Sequence, residues 1–160
     1  MIKNIDKSEV TKTPIDSYNI AICSPSAFAG GTTDARGDKD GANAAFKLFN
    51  VTGTVLVKIF GICTVNLAGA GKLEVGVTGN TAALIAQIAD ATDLDAGDIF
   101  ADATPTLGAT LFADVLGPYI VANGLDIYET SSVTDITAGN IQYICLWRPL
   151  SPDGNVESAI

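Results

Sequence analysis

Thr54-Val55-Leu56-Val57-Lys58-Ile59-Phe60-Gly61-Ile62-Cys63-Thr64-Val65-Asn66-Leu67 is a long β-branched run. β-Branched residues fit a pleated, buried surface, so the run reads as a strand. Its even positions hold Leu56, Lys58, Phe60, Ile62 and Thr64, and its odd positions Val55, Val57, Ile59, Cys63 and Val65. Both sets are largely apolar. A strand of that kind is expected to be covered on both faces.

The pattern continues on either side. Ala68-Gly69-Ala70-Gly71 turns the chain, and Lys72-Leu73-Glu74-Val75-Gly76-Val77 alternates, so the two segments read as a hairpin with a longer loop. Beyond Gly79-Asn80-Thr81, the residues Leu84, Ile85 and Ile88 share one helical face and predict a short helix. Residues 106–116 fit a strand or a helical turn between Pro105 and Pro118. Asn123-Gly124 is the strongest hairpin turn signal, because both residues accept φ > 0. Residues 141–148 form a last strand, ending at Pro149. Towards the N-terminus, residues 17–23 fit a first strand, and 29–43 are a loop rich in Gly and Asp. The expected fold is all-β, mainly an antiparallel sandwich, jelly roll or barrel-like domain, with one short helix and an extended N-terminal arm. Residues 1–16 form the arm, 17–45 the first strand and loop, 46–150 the β domain and 151–160 a polar tail.

Composition narrows the function. The 160 residues include 9 basic and 18 acidic ones, a net charge of −9, with 48% hydrophobic and 17% charged residues. Such a chain is too apolar to be disordered. Its field is wrong for nucleic acid phosphates or an anionic membrane, so neither is an expected partner. No stretch is long and apolar enough to span a bilayer as a helix, and Met1–Lys7 lacks the apolar core of a signal peptide. Histidine is absent, which removes the commonest general base and metal ligand. No phosphate-binding glycine loop occurs. No catalytic residue and no cofactor is assigned, and an enzyme is not expected. Cys23, Cys63 and Cys145 are scattered among apolar residues and read as reduced core thiols.

Three polar features stand out. Asp34, Asp38 and Asp40, with Gly41 and Asn43, resemble a fragment of a calcium loop but lack its bidentate Glu and flanking helices. They read as a solvated acidic loop. Asp90, Asp93, Asp95, Asp98 and Asp102 read as a solvated face. Arg36-Gly37-Asp38 spells an adhesion tripeptide with nothing else to support that role. Trp147 is expected in the core, and Arg148, the last basic residue, against a carboxylate.

A resemblance adds to this reading. Leu48–Gly53, Val55–Gly61, Leu73–Val77, Ala83–Gln87, Asp95–Gly97, Ile120–Gly124 and Cys145–Ser151 resemble a family of small bacteriophage virion proteins. The likeness spans about Leu48 to Val156 and leaves residues 1–45 outside. It implies a virion structural protein assembled in the host cytoplasm. Low charge with high apolar content adds that surface is covered by other copies or by a partner. The expectation is a protein that decorates or cements the capsid as a symmetric homo-oligomer, with a trimer the natural choice, and binds the major capsid protein. A head-fibre or tail component contacting the host is the alternative, followed by a glycan- or metal-binding β domain.

Overall fold

The computed structural model describes residues 18–107 and 117–160. Eleven strands run through them: β1 (Asn19–Cys23), β2 (Ala45–Thr52), β3 (Val55–Ala68), β4 (Lys72–Val77), β5 (Asn80–Ile88), β6 (Asp98–Phe100), β7 (Thr106–Leu107), β8 (Tyr119–Val121), β9 (Ile127–Ser132), β10 (Ala138–Pro149) and β11 (Asn155–Ser158). Sheet I has the order β1-β10-β3-β6-β7, with β8 also on β3, and sheet II has the order β11-β2-β9-β4-β5.

The topology reduces to one folded ribbon. β1 pairs with β10, β2 with β9, β3 with β8 and β4 with β5, all antiparallel. The ribbon reverses at the β4–β5 turn. Wrapping it brings β10 onto β3 and β9 onto β4, which closes the two sheets. With β6, β7 and β11 set aside, this is the winding of a jelly roll. The all-β expectation therefore holds, and the jelly roll is the member of that class realised.

The long β3 run lies where its sequence placed it. Val55, Val57, Ile59 and Cys63 point inward and are buried, opposite Ile141, Tyr143 and Cys145 of β10. Gly61 interrupts the inward row because Tyr143, its cross-strand partner, occupies that space; a Cβ there would meet Ile141 Cγ2 at 2.6 Å. Phe49, Leu73, Ile85, Ile88 and Ile127 of sheet II are fully buried in the same core.

Four local readings need correction. β3 and β4 are not a hairpin, because the chain crosses from sheet I to sheet II at Ala68–Gly71. β3 is already paired on both edges, with β10 on one and with β6 and β8 on the other. The expected helix is β5. Its register against β4 slips between Val75↔Ile85 and Leu73↔Ile88, so one extra residue bulges. The bulge puts buried Leu84, Ile85 and Ile88 at a helix-like spacing on a strand. The helical element among the described residues is a 3₁₀ turn at Ala91–Asp93, capped by the Asp90 side chain, which accepts from Thr92 N.

Asn123 and Gly124 have φ of 57° and 67°, as a type I′ turn requires. They nevertheless join β8 of sheet I to β9 of sheet II, so they form a corner and not a hairpin. The fourth correction concerns the polar tail, of which Asn155–Ser158 forms β11 and pairs with β2. The arm 1–16, and all of 106–116 beyond Leu107, lie outside the described residues.

Candidate interaction face

The loop between β1 and β2 is held by one buried ion pair. Arg36 is 3% exposed, and its Nε and Nη2 donate to Glu129 Oε1 and Oε2 at 2.8 and 2.7 Å. Nη1 donates to Ser26 O and Asn140 Oδ1, and Tyr143 Oη donates to Glu129 Oε2 at 2.6 Å. The guanidinium lies 3.8 Å from the centre of the Phe28 ring. Burial opposes the Arg36 cation, but the Glu129 carboxylate outweighs it and raises its pKa. Burial, then the Glu129 charge, raises Tyr143 well above its usual value. This network ties the loop to β9 of sheet II and β10 of sheet I. It also withdraws Arg36 from any adhesion tripeptide, whose arginine must be displayed. Nothing local in the sequence marked Arg36 as buried, because the side chains of Glu129 and Asn140 that receive its hydrogen bonds are 93 and 104 residues away.

The acidic loop turns its carboxylates on its own backbone. Asp38 accepts from the N–H groups of Asp40 and Asp34, each at 3.0 Å, and these bonds hold its pKa below the usual value. Asp34 Oδ1 accepts from Ala42 N at 2.7 Å, and Asp40 pairs with Lys39. The second cluster behaves alike: Asp90 and Asp102 accept from Thr92 N and Thr104 N, and buried Asp98 accepts from Asp95 N. The contacts of Asp38 with Asp40, Asp90 with Thr92 and Asp102 with Thr104 are Asx turns, and the others brace the same loops over longer spans. Among the described residues, no three Cys, Asp or Glu side chains are placed to share one metal ion. The thiols of Cys23, Cys63 and Cys145 are free and buried. Burial raises the Cys63 pKa to about 11 and that of Cys145 to about 12.

The outer faces of the two sheets carry the contrast that matters. On sheet II the outward positions include Lys47, Lys72, Glu74, Tyr128 and Thr130. Lys47 bonds Asp126 at 2.8 Å, and Gln87 Nε2 donates to Glu74 Oε2 at 2.6 Å. A groove of about 240 Å³ opens there, lined by Ala45, Val77, Thr78, Thr81, Tyr128 and Thr130.

On sheet I the outward rows follow from the register. Ile20 of β1 lies beside Leu146 and Lys58, and Ile22 beside Ile144 and Phe60. Leu56 lies beside Ile120 of β8, and Ile62 beside Ile99 of β6. Ile20, Ile22 and Ile120 are 63%, 52% and 67% exposed, and Leu56, Phe60, Ile62, Ile144 and Leu146 are half-buried. The strands of sheet I contain one acid among the described residues, Asp98, and it is buried. At one end of the face, Arg148 and Lys58 lie over the ring of Tyr18, at 4.8 and 5.7 Å from its centre. Trp147, on the other side of β10, is half-buried against the core.

The even positions of residues 54–67 thus point to a face that the chain, as described, leaves uncovered. No family model, no curated protein and no solved structure matches the chain.

Proposed function

We propose that the chain is a non-enzymatic virion structural protein that decorates or cements a phage capsid, held in the assembly through the outer face of sheet I. One observation carries the reading: on a jelly roll whose chain carries a net charge of −9, the described strands of sheet I present a largely apolar outer face with no exposed acid. Contiguous apolar surface of that kind is where soluble proteins are covered by partners. The resemblance of residues 48–156 to small phage virion proteins supplies the particular assembly, with the major capsid protein as a partner. Asp34, Asp38, Asp90 and Asp102 bond the backbone of their own loops, which favours a structural over a catalytic role for them. The test is co-sedimentation of the tagged chain with filled particles produced by the genome that encodes it. A fixed ratio to the major capsid protein after washing is expected. Absence from washed particles overturns the reading.

A second reading rests on the groove of sheet II. Thr130 Oγ1 is buried beside it with no hydrogen-bond partner among the described residues, and Tyr128 offers a ring face. A small neutral sugar suits such a lining. Isothermal titration with simple hexoses tests it, and no heat with any of them sets it aside.

A further inference from the structure

We propose that Asn123-Gly124, at the corner between β8 and β9, is a deamidation site that the fold holds closed and that reacts when the corner opens. The proposal does not rest on the virion reading. Of the nine asparagines in the chain, Asn123 alone precedes a glycine; the others precede Ile, Ala, Val, Leu or Thr. A side chain on the following residue crowds the approach of its backbone nitrogen, and glycine has none. Asn123 and Leu125 are exposed, so water reaches the site.

The chemistry needs water and no other reagent. Gly124 N gives up its proton and bonds to Asn123 Cγ, while the Asn123 amide nitrogen takes up a proton and leaves as ammonia. The product is a cyclic succinimide. Water then adds to either ring carbonyl and opens the ring. Opening at one carbonyl gives aspartate; opening at the other gives isoaspartate, in which the main chain runs through the former side chain. Either product makes a chain of net charge −9 more acidic. Isoaspartate also lengthens the backbone at the turn.

The fold blocks the first step in two ways. Gly124 N already donates to Gly53 O at 2.8 Å, in the turn between β2 and β3, so the proton to be lost is held in a hydrogen bond. The backbone geometry is also wrong for ring closure. Asn123 and Gly124 have φ of 57° and 67°, and Leu125 N donates to Ala122 O at 3.4 Å across the turn. A type I′ turn sets ψ of its first central residue near about +30°. That ψ puts Gly124 N nearly opposite Asn123 Cβ about the Cα–C bond, whereas the ring needs the two eclipsed. Rotating that bond breaks the contact with Gly53.

What holds the corner therefore sets the rate. Val121 in sheet I and Ile127 in sheet II are buried on either side of it. Asp126 Oδ1 accepts from Val51 N at 3.0 Å, and Lys47 bonds the other oxygen of Asp126. The turn packs on the end of β2, since a Cβ on Gly124 would lie 3.2 Å from Val51 O. Reaction waits for local opening of this segment, so the native rate is the rate of the open chain multiplied by the fraction open.

Peptide mapping by mass spectrometry, with an isoaspartate-specific methylation assay, follows Asn123 in the full chain at mildly alkaline pH. A synthetic peptide of residues 119–127, which lacks the β2–β3 turn, gives the rate of the open chain in the same buffer. The folded chain is expected to convert Asn123 at least about tenfold more slowly than the peptide. In unfolding urea the chain is expected to match the peptide in that urea, with Asn123 the first of its asparagines to convert. Asp126→Ala removes the acceptor of Val51 N and is expected to speed conversion in the folded chain several-fold. Asp126→Asn keeps an oxygen acceptor there and is expected to speed it less. Should Asp126→Ala fail to fold, wild-type rates in urea below the unfolding transition replace it, with a rise expected before the chain unfolds as a whole. A folded chain that converts as fast as the peptide overturns the proposal. So does an unfolded chain in which another asparagine converts first, or a folded Asp126→Ala chain that reacts no faster than the wild type. Where urea replaces that variant, a rate that stays flat until global unfolding does the same.

Discussion

The outer faces of the two sheets come from strands of one ribbon, yet they meet their surroundings differently. On sheet II the β4 segment Lys72–Val77 alternates, and its outward Lys72 and Glu74 are polar. On sheet I the long strands β3 and β10 are largely apolar on both sides, so Leu56, Phe60, Ile62, Ile144 and Leu146 face outward over the same core, with Lys58, Gln142 and Arg148 among them. A sheet with one wet face needs apolar residues only at every second position. Where both positions are apolar, the strand is built for a second layer. Sheet II has its complement of polar groups, whereas the described outer face of sheet I is largely apolar.

The comparison presupposes one frame beneath both faces, and the largest expected effect tests that frame. Arg36→Ala strands the buried Glu129 carboxylate between β9 and β10. A loss of about 3–5 kcal/mol in urea unfolding is expected. A loss below about 1 kcal/mol would mean that the loop is not locked to the two sheets.

The next effect belongs to sheet I alone, since Cys23, Cys63 and Cys145 all lie on its strands. Folded thiol pKa values of about 11 for Cys63 and about 12 for Cys145 stand above the unfolded value. Their contribution is therefore complete below the unfolded value of 9.0 and falls as pH rises towards the folded values. Each thiol is expected to cost about 1 kcal/mol by about pH 10. Urea midpoints from neutral to alkaline pH measure it, and replacing Cys63 and Cys145 by Ala is expected to flatten the slope. An equal slope in that variant would place the thiols in contact with water.

The smallest effect is on sheet II. Lys47 and Asp126 are partly exposed, so Lys47→Met is expected to cost under about 1 kcal/mol, and less at high salt. A large, salt-independent loss would show that this face is not simply solvated.

Much of this contrast is legible in residues 54–67, where both strand faces are visibly apolar. Local chemistry also reads well: the left-handed Asn123-Gly124 turn and the three buried thiols follow from composition and neighbours. What fails is partner choice. Asn123-Gly124 and Ala68–Gly71 mark reversals, but a jelly roll sends the chain to the opposite sheet at both. Leu84, Ile85 and Ile88 mimic a helix because a bulge shifts the strand's phase. Arg36 sits among Gly and Asp in sequence, and only the wrapping of the ribbon brings Glu129 to it. The candidate face is half legible: its apolar rows are in the pattern, but which rows lie side by side is set by the register of β1, β10, β3 and β8.

Hydroxyl-radical footprinting of the chain free in solution and bound to washed particles tests the central claim most directly. The account predicts protection on the particle at Ile20, Ile22, Phe60, Ile144 and Leu146, with Tyr128 and the rest of sheet II unchanged. Unchanged labelling of sheet I on the particle, or protection centred on Tyr128, would contradict it.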